Sequence, residues 1–190
     1  MFLLRRPSDA KINNFLSQCE PDTFSYPEVG ATASVVPSGY NIDHNRMKLG
    51  EGSQTLERAR EAIRSWKMFD FDWVTLCWPD TPIESGRTVA ILVQHLNFYS
   101  LNASRIVYTI DETGDVERFG FAYGTLTNHG EIGEERFTVE HHTKTGEVWY
   151  DLYAFSRPGS TLAKLGYPVS RHFQKAFAAA SKRSMLRAIR

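Results

Sequence analysis

The stretch "RFGFAYGTLTNHGEIGEERF", Arg118 to Phe137, decides how the fold is read. Side chains alternate across a strand, so Phe119, Phe121 and Tyr123 share one face while Gly120, Ala122 and Gly124 share the other. A turn-like segment with His129 follows, and then Glu134, Glu135 and Arg136. A strand exposed on one side alternates apolar with polar residues. Here one face is aromatic and the other is nearly bare. The aromatic face lines an interior. The bare face implies the close approach of another surface, because glycine inside a strand weakens it unless something packs there. The segment "VGATASVVP" (29–37), a partner subunit or a ligand are the candidates for that surface.

The period of two continues on both sides. It predicts strands near 71–78, 87–95, 103–111, 116–126, 133–141 and 147–155, punctuated by "PDTPIESG", "SLN", "ETGD", "TNHGEIG" and "TKTG". Connections this short join antiparallel neighbours as a meander. Upstream, "YNIDHNRMKLG" reads as a first strand ending at Gly50. "SQTLERAREAIRSWKMF" reads as an amphipathic helix with Leu56, Ala59, Ile63 and Trp66 on one side and Ser53 as its cap. Residues 8–18 suit a short helix capped by Ser8, and "PDTFSYPEVGATASVVPSG" an extended loop with at most a short strand. Over 160–188, Leu162, Leu165, Val169, Phe173, Ala176, Phe177 and Ala180 form a helical stripe, which Pro168 should kink or restart.

A single antiparallel sheet must bury its apolar face against something, and the helices are the only candidates. The expectation is an α+β chain: a curved antiparallel sheet of about seven strands wrapped around a long C-terminal helix. Residues 36–190 would form this domain, with 1–35 as an extension carrying a short helix. The arrangement resembles the helix-grip fold of the START, polyketide cyclase and birch-pollen-allergen superfamily (SRPBCC), which implies a cavity between sheet and helix. One clear helix follows the first strand here, where that superfamily usually has two. The linked motifs "VGATA", "PSGYNIDHNRMKLGEG", "AIRSWKMFDFDWV", "ASRIVYTID", "RFGFAYGTLTNHGEIGEERFTVE" and "VWYDLYAFSRP" resemble a bacterial and plant family. It is the domain-of-unknown-function family numbered nineteen-ninety. The resemblance runs from residue 29 to about 180 and brings no catalytic residues with it.

A hydrophobic fraction of 42% in 190 residues is enough for one substantial core and argues against global disorder. No window approaches the roughly 18 apolar residues of a membrane span. "MFLLRRPSD" is not a signal peptide, and Cys19 and Cys77 make no disulfide framework, so a cytoplasmic setting is expected. The formal net charge of zero hides an asymmetry. From Arg157 onward there are eight bases and no acid, leaving 14 bases against 22 acids in residues 1–156. Such a basic helix is either a solvated face set against an acidic body or a tail for phosphates or anionic lipid. The first reading is taken here, and no nucleic-acid partner is expected. Nothing in the sequence sets the oligomeric state.

Glu135 should share the interior face with Phe137 and Val139, and a buried carboxylate must be paired, hydrogen-bonded or protonated. Arg105 and Asp151 are candidates to complete an interior polar network, with Arg105 as the favoured partner of Glu135. Tyr108, Tyr123 and Tyr150 would add polar handles to a mostly apolar cavity lined by Phe119 and Phe121. His129, in its turn, could reach the mouth and titrate near neutral pH. Plain core packing, a structural ion pair and a solvated histidine are the competing readings. His141 and His142 point apart, and no metal, phosphate-loop, dinucleotide or nucleophile-elbow motif is present, so no metal or cofactor is expected. The first function expected is a binding protein for a hydrophobic or amphipathic small molecule. The alternatives are a cyclase- or hydrolase-like enzyme using Glu135 or His129 as general base, and an interaction protein with a filled core.

Overall fold

The computed structural model describes residues 1–36, 38–127, 129–159 and 167–190, with side chains of the last stretch described from residue 169. Strands β2 (Asn41–Glu51), β3 (Val74–Cys77), β4 (Thr88–Gln94), β5 (Tyr99–Glu112), β6 (Val116–Thr125), β7 (Glu131–His142) and β8 (Glu147–Pro158) form one antiparallel sheet. Its order is β2-β8-β7-β6-β5-β4-β3. A two-residue strand β1 (Phe2–Leu3) pairs with the start of β5, where β6 does not reach. Helices α2 (Ser53–Arg64) and α3 (Tyr167–Ala188) lie on the concave face, and α1 (Asp9–Cys19) lies on the convex face. This is the helix-grip arrangement.

Alternation along the meander makes the concave core. Phe121, Phe137, Val139, Val148, Tyr150 and Leu152 are buried there with Leu56 and Ile63 of α2, Met185 of α3 and Ile189 just past its end. The other set of side chains faces α1, whose Ile12 packs with Ala90, Leu92 and Leu101. Ser8 caps α1 by accepting the Lys11 N–H.

The helix α2 departs from the sequence expectation at both ends. The cap of α2 is Gly52 at φ +83°, not Ser53. Glycine holds that left-handed φ without strain. The helix also stops at Arg64 rather than Phe69. Trp66 takes a left-handed backbone at φ 53°, turning its indole into the core 4.8 Å from Phe121, with its N–H donated to Thr81 O at 2.9 Å. A short 3₁₀ turn, Lys67–Phe69, follows. The helix α3 starts at Tyr167, so Pro168 sits in its first turn, where its missing N–H would have no helical acceptor, as the expected restart requires. Leu162 and Leu165 lie outside the described residues.

Candidate functional site

The cover over the bare glycine face is the chain's own loop. An ideal Cβ on Gly124 would stand 2.0 Å from the Tyr26 hydroxyl, so only glycine lets that ring come so close to β6. The Tyr26 hydroxyl donates to Glu134 at 2.7 Å. Glu134 also accepts the Gly30 N–H at 2.7 Å, the Thr32 N–H at 3.0 Å and the Thr32 hydroxyl. Burial, and then the hydrogen bond to Glu134, raise the Tyr26 pKa. Gly124 and Glu134 are direct cross-strand partners. The carboxylate that ties the "VGATA" segment to the convex face is therefore Glu134, which sequence reasoning passed over. Its signal was present: a polar residue opposite a covered glycine is itself covered.

Glu135 points the other way, as expected. It faces the concave side opposite Tyr123, whose hydroxyl donates to it at 2.8 Å. The expected Arg105 partner is absent. Arg105 lies on the convex face, donating to Cys19 O at 3.1 Å, Glu20 O at 2.9 Å and Asp22 O at 2.7 Å at the end of α1. Asp151 is convex too, with His44 at 2.6 Å, Arg46 at 3.0 Å and Arg136 at 3.2 Å. The interior network of Arg105, Glu135 and Asp151 is thus three separate sites on two faces.

Tyr108 is corrected for a different reason. A bulge between Ile106 and Tyr108 inserts an extra residue, so Ile106 enters the core while the Tyr108 hydroxyl meets Thr32 on the convex side at 2.7 Å. Phe121 packs against Phe137 at 5.2 Å between ring centroids and is fully buried. Phe119 carries the Arg64 guanidinium over its ring at 4.6 Å. The Tyr150 hydroxyl bonds Ser181 of α3 at 2.8 Å. His129 accepts the Glu131 N–H on Nδ1 at 3.0 Å, and burial lowers its pKa to about 4, so the ring stays neutral.

These rings close on one another. Two surface concavities, of about 310 and 350 Å³, are lined by residues 28–35 and by the α2–α3 groove, and neither includes Phe119, Phe121 or Tyr123. At one end of the concave face the aromatic packing gives way to polar groups. Half-buried Glu131 accepts from Gln174 of α3, Asp43 of β2 holds Arg171 in a bidentate pair, and Gln174 reaches Ser156 at 3.1 Å. Glu135 belongs to this end. Among the described residues no cation is paired with it, and burial, with smaller contributions from Glu131 and Asp43, raises its pKa to about 7. Burial likewise raises Glu131, against the opposing hydrogen bonds of Gln174 and Ser170. No group of three His, Cys, Asp or Glu among the described residues is placed to hold a metal ion. No described helix is long and apolar enough to cross a membrane.

The model of the domain of unknown function DUF1990 matches residues 25–184. The chain belongs to the DUF1990 family. A UPF0548 protein of Dictyostelium discoideum is 36% identical over 208 residues, covering 100% of this chain and 96% of its own. One from Deinococcus radiodurans is 35% identical over 200 residues, covering 99% and 98%. The amoebal relative extends the family beyond the bacteria and plants of the sequence reading. Among solved structures, the hypothetical protein jhp0584 of Helicobacter pylori has a TM-score of 0.56 at 9% identity, covering 88% of this chain and 96% of that one. That likeness is one of fold alone. Human STARD10 has a TM-score of 0.48 at 12% identity, covering 98% and 81%. The DUF1990 match takes in the Tyr26–Glu134 clasp and the Tyr123–Glu135 pair together.

Proposed function

We propose that this DUF1990 protein binds an amphipathic small molecule between the sheet and α3. Its apolar part lies beside Tyr123 and Phe177, where the aromatic packing gives way to polar groups, and its polar end, a hydroxyl or amine, donates to Glu135. The observation that carries the reading is the Tyr123–Glu135 pair. It is a half-buried carboxyl on an otherwise apolar wall, with one hydrogen bond and no cationic partner among the described residues. A fold gains nothing from such a group, since burying it without a cation costs free energy. A filled core alone leaves it without a role. The buried free thiols Cys19 and Cys77 support a reducing compartment such as the cytoplasm.

A second reading rests on the same carboxyl. A group held near pH 7 exchanges protons readily at neutral pH, so Glu135 suits an acid–base step on a bound substrate. His129 suits it less, being neutral and committed to the Glu131 N–H.

Native mass spectrometry of the purified protein, followed by solvent extraction, tests the first reading. The expected result is a retained small molecule, lost from Glu135→Gln and weakened in Tyr123→Phe. A protein that retains nothing, or a compound held equally by both variants, overturns it. A recovered compound that the protein converts on incubation, with conversion abolished by Glu135→Gln, selects the second reading.

A further inference from the structure

The tip of the β4–β5 hairpin is built against the usual rule for turns. Leu96 occupies it at 99% exposure, where turns ordinarily carry small polar residues. Phe2 at 73% lies in β1, Leu4 at 87% follows it, and Val169 at 61% is near the start of α3. Single exposed apolar residues are ordinary, but Phe2 belongs to a connected set of rings. The Phe2 and Phe98 rings lie 5.8 Å apart, and Phe98 stacks on His95 at 4.3 Å. His95 meets Phe173 of α3 at 5.0 Å, and Phe173 meets Trp73 at 5.8 Å. A continuous row of rings therefore joins the N-terminal strand to the helix, with aliphatic side chains projecting from it into solvent.

Cations adjoin this row. Arg5 and Arg6 follow Leu4 directly and are exposed, as is Lys175 on α3. The segments 1–8, 94–101 and 167–190 contain no acid; Asp9 and Asp72 are the acids next to the row in sequence. The exposed side of α3 continues with Arg183 and Arg187, and Arg190 follows its end.

We propose that this tip docks the protein on the surface of an anionic lipid bilayer. Phe2, Leu4, Leu96 and Phe98 enter the headgroup boundary while Arg5, Arg6 and Lys175 meet lipid phosphates. Apolar insertion and cationic attraction together are what reversible bilayer association requires. A nucleic acid would satisfy the cations and leave the leucines in water. Paired with the same patch of a second copy, the row would set these cations against one another, because its segments contain no acid. The inference does not rest on the small-molecule reading, because every residue proposed to meet the bilayer is exposed.

The test is sedimentation of the intact protein with vesicles of phosphatidylcholine alone and with about 30% phosphatidylserine. Partition should require the anionic lipid and fall steeply in high salt. Leu4→Ser with Leu96→Ser should weaken it more than about ten-fold, given the apolar area each leucine loses. Arg5→Gln and Arg6→Gln should each weaken it about five-fold, the equivalent of ~1 kcal/mol per cation near an anionic surface. All four side chains are exposed, so unchanged melting temperatures will show that the fold is intact. Three results overturn the proposal: no partition, partition that survives the serine pair, or a wild-type dimer that the serine pair converts to a monomer.

Discussion

Gly124 and Tyr26 touch so closely that no side chain fits between them: a Cβ on Gly124 would lie 2.0 Å from the tyrosine hydroxyl and 2.8 Å from its Cζ. Tyr26 is 3% exposed and tied to Glu134, so it has nowhere to retreat. Gly124→Ala should destabilise the protein by about 1–3 kcal/mol in chemical denaturation, the usual range for overpacking. In a Tyr26→Phe background, which removes the nearest atom, the alanine should cost less. Strictly additive effects would refute the contact.

Adjacent glutamates should respond in opposite ways. Glu134 takes four hydrogen bonds from Tyr26, Gly30 and Thr32. Glu134→Gln sets an amide N–H₂ against donors and should cost roughly 2–4 kcal/mol, in line with hydrogen bonds to a buried charge. It should also release the 26–34 loop to protease. Glu135→Gln should leave that loop protected. Equal thermal shifts in the two variants at neutral pH would contradict the assignment of faces.

Phe121 distinguishes a packed core from a pocket wall. It is fully buried, with Trp66 at 4.8 Å and Phe137 at 5.2 Å. Phe121→Ala should therefore cost the full ~3–5 kcal/mol of a truncated core aromatic. A loss below about 1 kcal/mol would mean that the ring borders open space rather than neighbours.

The period of two along 116–142 was enough to read the meander, the helix-grip layering and the direction of Glu135. Periodicity counts residues, however, and a bulge adds one without leaving a mark in the pattern. Val107 does this in β5, moving Tyr108 to the convex face. Periodicity is equally blind to a second covered face. Glu134 and Asp151 belong to the set that a one-sided sheet would expose, yet both are 2% exposed. The 22–36 loop covers the first, and flanking guanidinium groups and His44 cover the second. Arg105 was misjudged because its partners are carbonyl oxygens at the end of α1, a target with no sequence signature.

Arg105 supplies a further check. Its guanidinium holds three carbonyls at the α1 terminus, so Arg105→Met should cost about 1–3 kcal/mol and speed hydrogen exchange in α1. Combined with Glu135→Gln, the two effects should add, because the residues sit on opposite faces and share no partner among the described residues. A coupling energy above about 0.5 kcal/mol in that cycle would bring back the ion pair that the structure denies.

Glu135 should also make stability depend on pH in a direction opposite to that of an ordinary paired carboxylate. Burial raises its pKa from the usual 4.5 to about 7 in the folded chain. Below pH 4.5 the group is protonated in both states and costs nothing. As pH rises from 4.5 to 7 the unfolded chain gives up its proton first, so the folded state binds more protons and loses stability. Above pH 7 the whole penalty applies, on the order of 2–3 kcal/mol for a half-buried group. Glu135→Gln carries no such proton. The mutant should therefore match the wild type in acid and exceed it by that amount in alkali, with the difference growing through this window. His129, held near 4, acts in the reverse sense: its contribution is lost as pH falls from 6.5 toward 4. That slope is common to both proteins and cancels in the difference. Tyr123→Phe removes the hydrogen bond that favours the ionised form, so it should move the midpoint of the difference curve to higher pH. Urea midpoints for the three proteins across the pH range provide the curve. A flat difference would mean that Glu135 is ionised throughout and already held by a cation.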